Sequence, residues 1–279
     1  MTTAVVIDVT AGFTGDVLPP VPIDDAASRI LAYCTSPHSG WAVYDLAGIG
    51  ARSAGLLDDV STWSLLFANA LNGRIELKQI ADFDLTRRRE FAHRISRIPP
   101  DQDLHHLTDD QLNAVIQACQ FGFDGAWAPR ITKLAALYRP QAIPVLDGYV
   151  GMAFGYQRDD LSLKVQRFGL NRQERIAAIV RAMAVYLRDH AGTLAQLRTQ
   201  VSPTVPELAV AQPGNKRPLI ADLRLLDMVV WTAMDDRLAL GAGLPPRWLG
   251  RPLGAHIPYE AVAPVPITTP AANSADPRR

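Results

Sequence analysis

The sequence predicts a mainly α-helical, multi-helix globular protein with a short N-terminal strand. Three observations carry that prediction. Apolar residues recur at i, i+3 and i+4 over most of residues 60–240, the spacing of a buried helix face. Capping signals open several of these segments. Of 279 residues, 48% are hydrophobic, enough to bury a large core.

Thr3–Thr10 alternates weakly and reads as the strand, before Pro19, Pro20 and Pro22 interrupt the chain. Asp24 or Asp25 then caps a short helix carrying Ile30, Leu31 and Cys34. Asp45-Leu-Ala-Gly-Ile-Gly50 superficially resembles a phosphate loop. It lacks the preceding strand and the Gly-Lys-Ser/Thr ending, so it reads as a plain loop. Residues 1–55 are therefore expected to be an irregular N-terminal segment.

The helical domain is expected over residues 56–260. Val60–Asn72 buries Val60, Trp63, Leu66, Phe67 and Ala70, with Gly73 as its C′ residue. Thr86–Ile98 is a charged helix ended by Pro99-Pro100. Thr108-Asp-Asp-Gln111 is a capping box that opens the next helix. Residues 126–138 form another, stopped before Pro140, and Pro144–Val150 opens the one after. Asn171-Arg-Gln-Glu174 starts a long helix with Ile176, Ile179, Val180, Met183 and Leu187 on one face and Gly192 beyond its end. Leu219–Leu240 is strongly apolar and reads as central. Residues 261–279 are Pro/Ala-rich without apolar periodicity and predict a disordered tail.

The formal net charge is zero, so no global field recruits nucleic acid. The distribution is uneven: residues 1–110 carry 15 acids and 9 bases, residues 125–200 carry 5 acids and 11 bases. The second half therefore suits an anionic partner, unless its bases are simply solvated helix faces. Two cysteines, Cys34 and Cys119, are too few for a disulfide framework. The N-terminus lacks a basic region and contains Asp8, so no secretory leader is expected. No apolar run approaches the ~20 residues of a membrane span. A cytoplasmic location without membrane partners is the default. No Gly-x-Ser-x-Gly elbow, Walker loop or dinucleotide fingerprint occurs, which removes support for serine nucleophiles and nucleotide hydrolysis. His105 and His106 are adjacent, point apart and have no ligand at a metal spacing, so neither a metal nor a cofactor is expected.

Two carboxylates stand out. Asp147 follows a proline-containing loop and opens a helix, where it serves either as an N-cap or as a fixed carboxylate that stabilises a cation and orients a water. Asp227 lies inside the apolar run Leu225–Trp231, where a carboxylate is costly unless partnered. Its partner is either Arg224, one turn away, or a pocket shared with Asp147 and Lys133.

The stretch Gly125–Val150 resembles the helix-hairpin-helix DNA glycosylases. Pro144-Val-Leu-Asp147-Gly-Tyr-Val150 is similar to the string that bears the catalytic aspartate of their adenine-excising members. Gly125 stands where the family's phosphate-binding hairpin carries its first glycine, and Trp127 replaces the second. Ala128 occupies the position of the bifunctional members' lysine, and no cysteine cluster for an iron–sulfur centre is present. The sequence also resembles an uncharacterised bacterial family with a Thr-Lys-Leu … Arg-Pro … Ile-Pro-x-x-Asp core. The matching residues are Thr132-Lys133-Leu134, Arg139-Pro140, Ile143-Pro144 and Asp147, with Leu223–Asp227 and Trp231 further on.

The glycosylase resemblance implies a core of that type, DNA as partner and monofunctional hydrolysis of an N-glycosidic bond. Asp147 is the catalytic residue in this reading. Gly125, Trp127, Arg130, Lys133 and Arg139 face nucleic acid, and Arg224, Asp227 and Trp231 line the pocket. Two other classes remain open: a non-catalytic nucleic-acid-binding module, and a regulatory or interaction protein in which Asp147 only caps its helix.

Overall fold

The computed structural model describes residues 5–164, 166, 168–211 and 218–255. It is mainly helical, with a two-stranded antiparallel sheet near the N-terminus. Strands β1 (Val6–Ile7) and β2 (Val21–Pro22) pair Val6 with Pro22 and Ile7 with Val21. Helices follow as α1 (Ile23–Thr35), α2 (Ala47–Ser53), α3 (Ser64–Ala70), α4 (Leu77–Asp82) and α5 (Arg88–Ser96). The second half contributes α6 (Asp109–Cys119), α7 (Ala128–Tyr138), α8 (Gly148–Ala153), α9 (Arg172–Asp189), α10 (Ala191–Val201) and α11 (Asp222–Gly241).

Helix α11 is the centre. Leu223, Leu225, Leu226, Met228, Val229 and Val230 are all buried, and Asp227, Asp235 and Asp236 are buried with them, so the helix is enclosed on most of its circumference, as a core helix is. It packs against α1 and α8, and also touches α9 and α10. Helices α6 and α7 pack on each other and are joined by a turn at Phe123–Ala126, with α5 on α6 and α3 on α7.

The capping signals work as their chemistry dictates. Thr108 and Gln111 close a reciprocal capping box on α6, and Asn171 and Glu174 close another on α9. Other local readings give way to tertiary packing. The segment expected to be irregular carries the β-ribbon and α1, and its Ile7, Ile30, Trp41 and Leu46 join the same core as the later helices. Neither Asp24 nor Asp25 caps α1. Pro22 holds that position, and the two acids sit in the first turn, where the helix dipole favours them. The supposed loop at Asp45–Gly50 is helical: a π-helical turn over Trp41–Leu46 runs directly into α2. Gly48 is tolerated there because it lies against Leu137, where a Cβ would stand 3.2 Å from that side chain.

Gly73 has a different role from the one expected. Asn72, at φ 56°, makes the left-handed turn after α3. Gly73 is pressed against the Ala68 carbonyl, 2.6 Å from where a Cβ would sit. The charged helix begins earlier than its pattern predicts, at Leu77, and passes through a π-helical turn at Phe83–Arg87 before α5. Gly192 lies inside α10, which follows α9 directly after His190. The His105 and His106 rings do not point apart; they lie 3.9 Å from each other in a 3₁₀ turn. The proposed tail at 261–279 and the domain end at 260 fall outside the described residues. Among the described residues no helix is long and apolar enough to cross a membrane.

An aromatic cluster of Phe83, Phe91, Phe121 and Phe123 ties α5 to the turn between α6 and α7. Phe91→Ala is expected to lower stability by about 3–5 kcal/mol in chemical denaturation. Leu85→Ala, at a site 81% exposed, should change it by less than about 0.5 kcal/mol.

Candidate functional site

A cleft of about 540 Å³ opens between the α3–α7 side of the molecule and the α8–α11 side. Asp147, Lys133, Arg224, Asp227, Trp231 and Arg130 all line it. Each is brought there by a different local cause.

Asp147 is the N-cap of α8. Its Oδ1 accepts from the backbone N–H of Tyr149 (3.0 Å) and Val150 (3.1 Å), which fixes the carboxylate. Its Oδ2 lies 3.9 Å from Lys133 Nζ. Lys133 projects from α7 and donates to the Leu71 carbonyl oxygen at 2.6 Å. Burial pushes its amine below the ordinary lysine range, and Asp147 partly offsets that.

Arg224 does not pair with Asp227. It reaches Asp45 in the π-helical turn with both arms, Nε to Oδ1 at 2.7 Å and Nη2 to Oδ2 at 3.1 Å. Nη2 also donates to the Tyr33 hydroxyl at 2.9 Å. Asp227 is left without a cation. Its Oδ2 accepts from Val145 N–H at 3.0 Å, and its Oδ1 is buried with no hydrogen-bond partner among the described residues. Burial raises its pKa to about 7, with Arg224 pulling the other way from a distance.

The far wall is aromatic. The Trp231 ring lies 5.5 Å from both Tyr149 and Trp248. Trp248 is held from behind: its Nε1 donates to Asp235 Oδ2 at 2.9 Å and its backbone N–H to Asp236 Oδ1 at 2.8 Å.

Three residues assigned to nucleic acid lie away from this cleft. Gly125 sits in the turn before α7 at φ +76°, with open space where a Cβ would be. Trp127 packs over Gly122, and the Arg172 guanidinium stacks on it 3.7 Å from the ring centroid. Arg139 ends α7 and donates to the carbonyls of Ile98 (2.7 Å) and Tyr138 (2.8 Å), a structural clasp. The sequence reading missed Asp45, Tyr33, Tyr149, Arg74, Arg158 and Trp248. Asp45 carried a usable signal, being a lone acid in an apolar run like Asp227.

A family model described as a family of unknown function, DUF6308, matches residues 26–234. The chain belongs to this family. Its matched range contains Asp45, Lys133, Asp147, Arg224, Asp227 and Trp231, and ends just before Asp235 and Asp236. No curated protein and no solved structure matches the chain. Among the described residues no group of His, Cys, Asp or Glu is arranged to hold a metal ion.

Two consequences can be measured. Asp45→Ala strands a buried guanidinium and is expected to cost about 3–5 kcal/mol of stability. Asp227 gives a pH dependence. Between its ordinary value of 3.8 and about 7, the folded state holds a proton that the unfolded chain has lost. Its contribution to stability is therefore full below the lower value and is lost as pH rises through about 7. Denaturation of the wild type and Asp227→Asn from pH 4 to 8 should show the variant gaining on the wild type across that window.

Proposed function

We propose that the cleft is a base-excision site of the helix-hairpin-helix glycosylase type, acting on a nucleotide turned out of a DNA strand. The observation that carries this reading is the state of Asp147. One oxygen is fixed by two backbone N–H groups and the other stands on the cleft beside Lys133, with the Trp231 and Tyr149 rings, tilted 45° to each other, on the wall nearby. A carboxylate held beside an aromatic slot suits an extruded base and the cationic sugar left as it departs. The order of α6, a tight turn, α7, a loop and Asp147 also agrees with the resemblance found in the sequence.

In this mechanism a nucleobase stacks on the Trp231 ring, with the tilted Tyr149 ring at its edge. The bond from sugar C1′ to the base nitrogen breaks, and its electron pair leaves with the base. Asp147 stabilises the oxocarbenium-like sugar and accepts a hydrogen bond from the attacking water. The water oxygen bonds to C1′, and its released proton neutralises the departing base. The products are free base and an abasic site. Ala128 at the lyase position supports hydrolysis without strand cleavage.

The departures of the hairpin favour one second reading. Trp127 is committed to Gly122 and Arg172, and a side chain there obstructs close backbone approach to a phosphate. A nucleic-acid-binding module without the chemistry accommodates that fact.

Duplexes and single strands carrying damaged, mismatched or modified bases would be screened for alkali-labile abasic sites. Asp147→Asn should abolish base release and leave the fold nearly intact, because Asn caps about as well as Asp. Asp147→Ala should additionally cost ~1 kcal/mol of stability. Salt-sensitive DNA binding without any abasic product would select the non-catalytic module, and strand breakage without alkali would overturn the monofunctional assignment.

A further inference from the structure

The cleft mouth carries more positive charge than its own carboxylates answer. Arg74, from the turn after α3, Arg130, on the first turn of α7, and Arg158, from the loop after α8, all line it. Arg74 and Arg158 are exposed, and Arg130 donates to the neutral Gln79 side chain at 2.9 Å. Among the described residues no carboxylate lies within ion-pair distance of any of the three. The other cations of the cleft are occupied, Arg224 by Asp45, Arg247 by Asp235 and Lys133 by Leu71 and Asp147, while Asp159 also lines the cleft as an exposed acid. Arg74 and Arg130 are close enough for their fields to act against protonation of Lys133.

The aromatic wall adds a second feature. The Arg158 guanidinium lies 5.3 Å from the Tyr149 ring centroid, and Tyr149 adjoins Trp231. The cationic mouth is thus continuous with the stacking surface. An aromatic face and guanidinium groups without a carboxylate partner together suit a base attached to a phosphate.

We propose that Arg74, Arg130 and Arg158 form a phosphate clamp, so that the ligand of this cleft is a phosphorylated nucleoside unit rather than a free base or nucleoside. The proposal rests on the nucleobase-site reading for the slot but not on base excision itself. A phosphate at the mouth, with its base against Trp231, places the intervening sugar across the cleft that Asp147 lines. The clamp comes from elements other than the Gly125 turn, so it supplies phosphate contact that the turn, with Trp127 committed elsewhere, does not.

The test titrates the folded full chain calorimetrically with the four deoxynucleosides, their 5′-monophosphates, inorganic phosphate and a short single-stranded oligonucleotide. At least one nucleotide should bind about tenfold or more tightly than its nucleoside. In Arg74→Ala/Arg158→Ala that advantage, read as the ratio of nucleotide to nucleoside affinity within the variant, should shrink to less than about threefold. Arg158→Gln retains the aliphatic stem that packs near Gly148, and should reproduce part of the loss if the double variant is unstable. Tighter binding of the oligonucleotide, lost in the same variants, assigns the phosphate to a nucleic-acid strand. Binding of monoesters alone assigns it to free nucleotides, leaving the clamp standing while the excision reading falls. Equal affinity for nucleoside and nucleotide, no binding of any probe, or an advantage that survives both variants overturns the clamp, whatever the abasic-site assay shows.

Discussion

The buried Arg224–Asp45 pair is the contact on which the cleft depends. It joins the central helix α11 to the π-helical turn before α2, and the Tyr33 hydroxyl brings α1 into the same network. The Tyr33 and Tyr44 rings flank the guanidinium with centroids at 5.7 and 5.6 Å. Tyr44 in turn donates to the Lys133 carbonyl oxygen at 2.6 Å, which reaches α7. One guanidinium therefore ties together four elements that border the cleft. The two-armed geometry and the extra acceptor are what make a buried charge tolerable.

That pairing decides the condition of Asp227. A cation one turn away on the same helix would ordinarily be its partner. Because Asp45 takes both arms of the guanidinium, Asp227 keeps only a backbone N–H, and desolvation prevails. The chain thus holds two carboxylates on one cleft in different states. Asp147 is anchored by backbone donors and faces a lysine, whereas Asp227 is buried without a cation, and burial raises its pKa to about 7.

The opposite wall depends on a second pair of acids. Asp235 and Asp236, adjacent on α11, point their oxygens at the segment that follows the helix. Asp236 accepts from the backbone N–H groups of Trp248 and Leu249, and also pairs with Arg29 on α1. Asp235 takes the Trp248 indole and the Arg247 guanidinium. These contacts hold Trp248 against Trp231, so the aromatic wall of the cleft is built partly from residues beyond the range matched by the family model.

Much of the fold was written locally. The helical periods of α6, α7, α9 and α11 and the capping boxes at Thr108 and Asn171 depend on residues within a few positions of one another, so sequence alone determined them. Sequence also marked Asp147 and Asp227, since a carboxylate at a helix start or in an apolar run is chemically conspicuous in one dimension. Tertiary structure decided the partners. Arg224 and Asp45 are 179 residues apart, and no local pattern could favour that pairing over the neighbouring Asp227. Only the fold could bring Arg74 and Arg158 to the same mouth as Arg130, or send Arg139 to a carbonyl clasp at the other end of α7. The glycines divide in the same way: Gly125 is a turn residue by its own backbone angle, whereas at Gly48 it is the Leu137 side chain lying against it that leaves little room for a Cβ. Backbone preference acts over a few residues, while charge pairing and close packing depend on which surfaces the finished fold presses together.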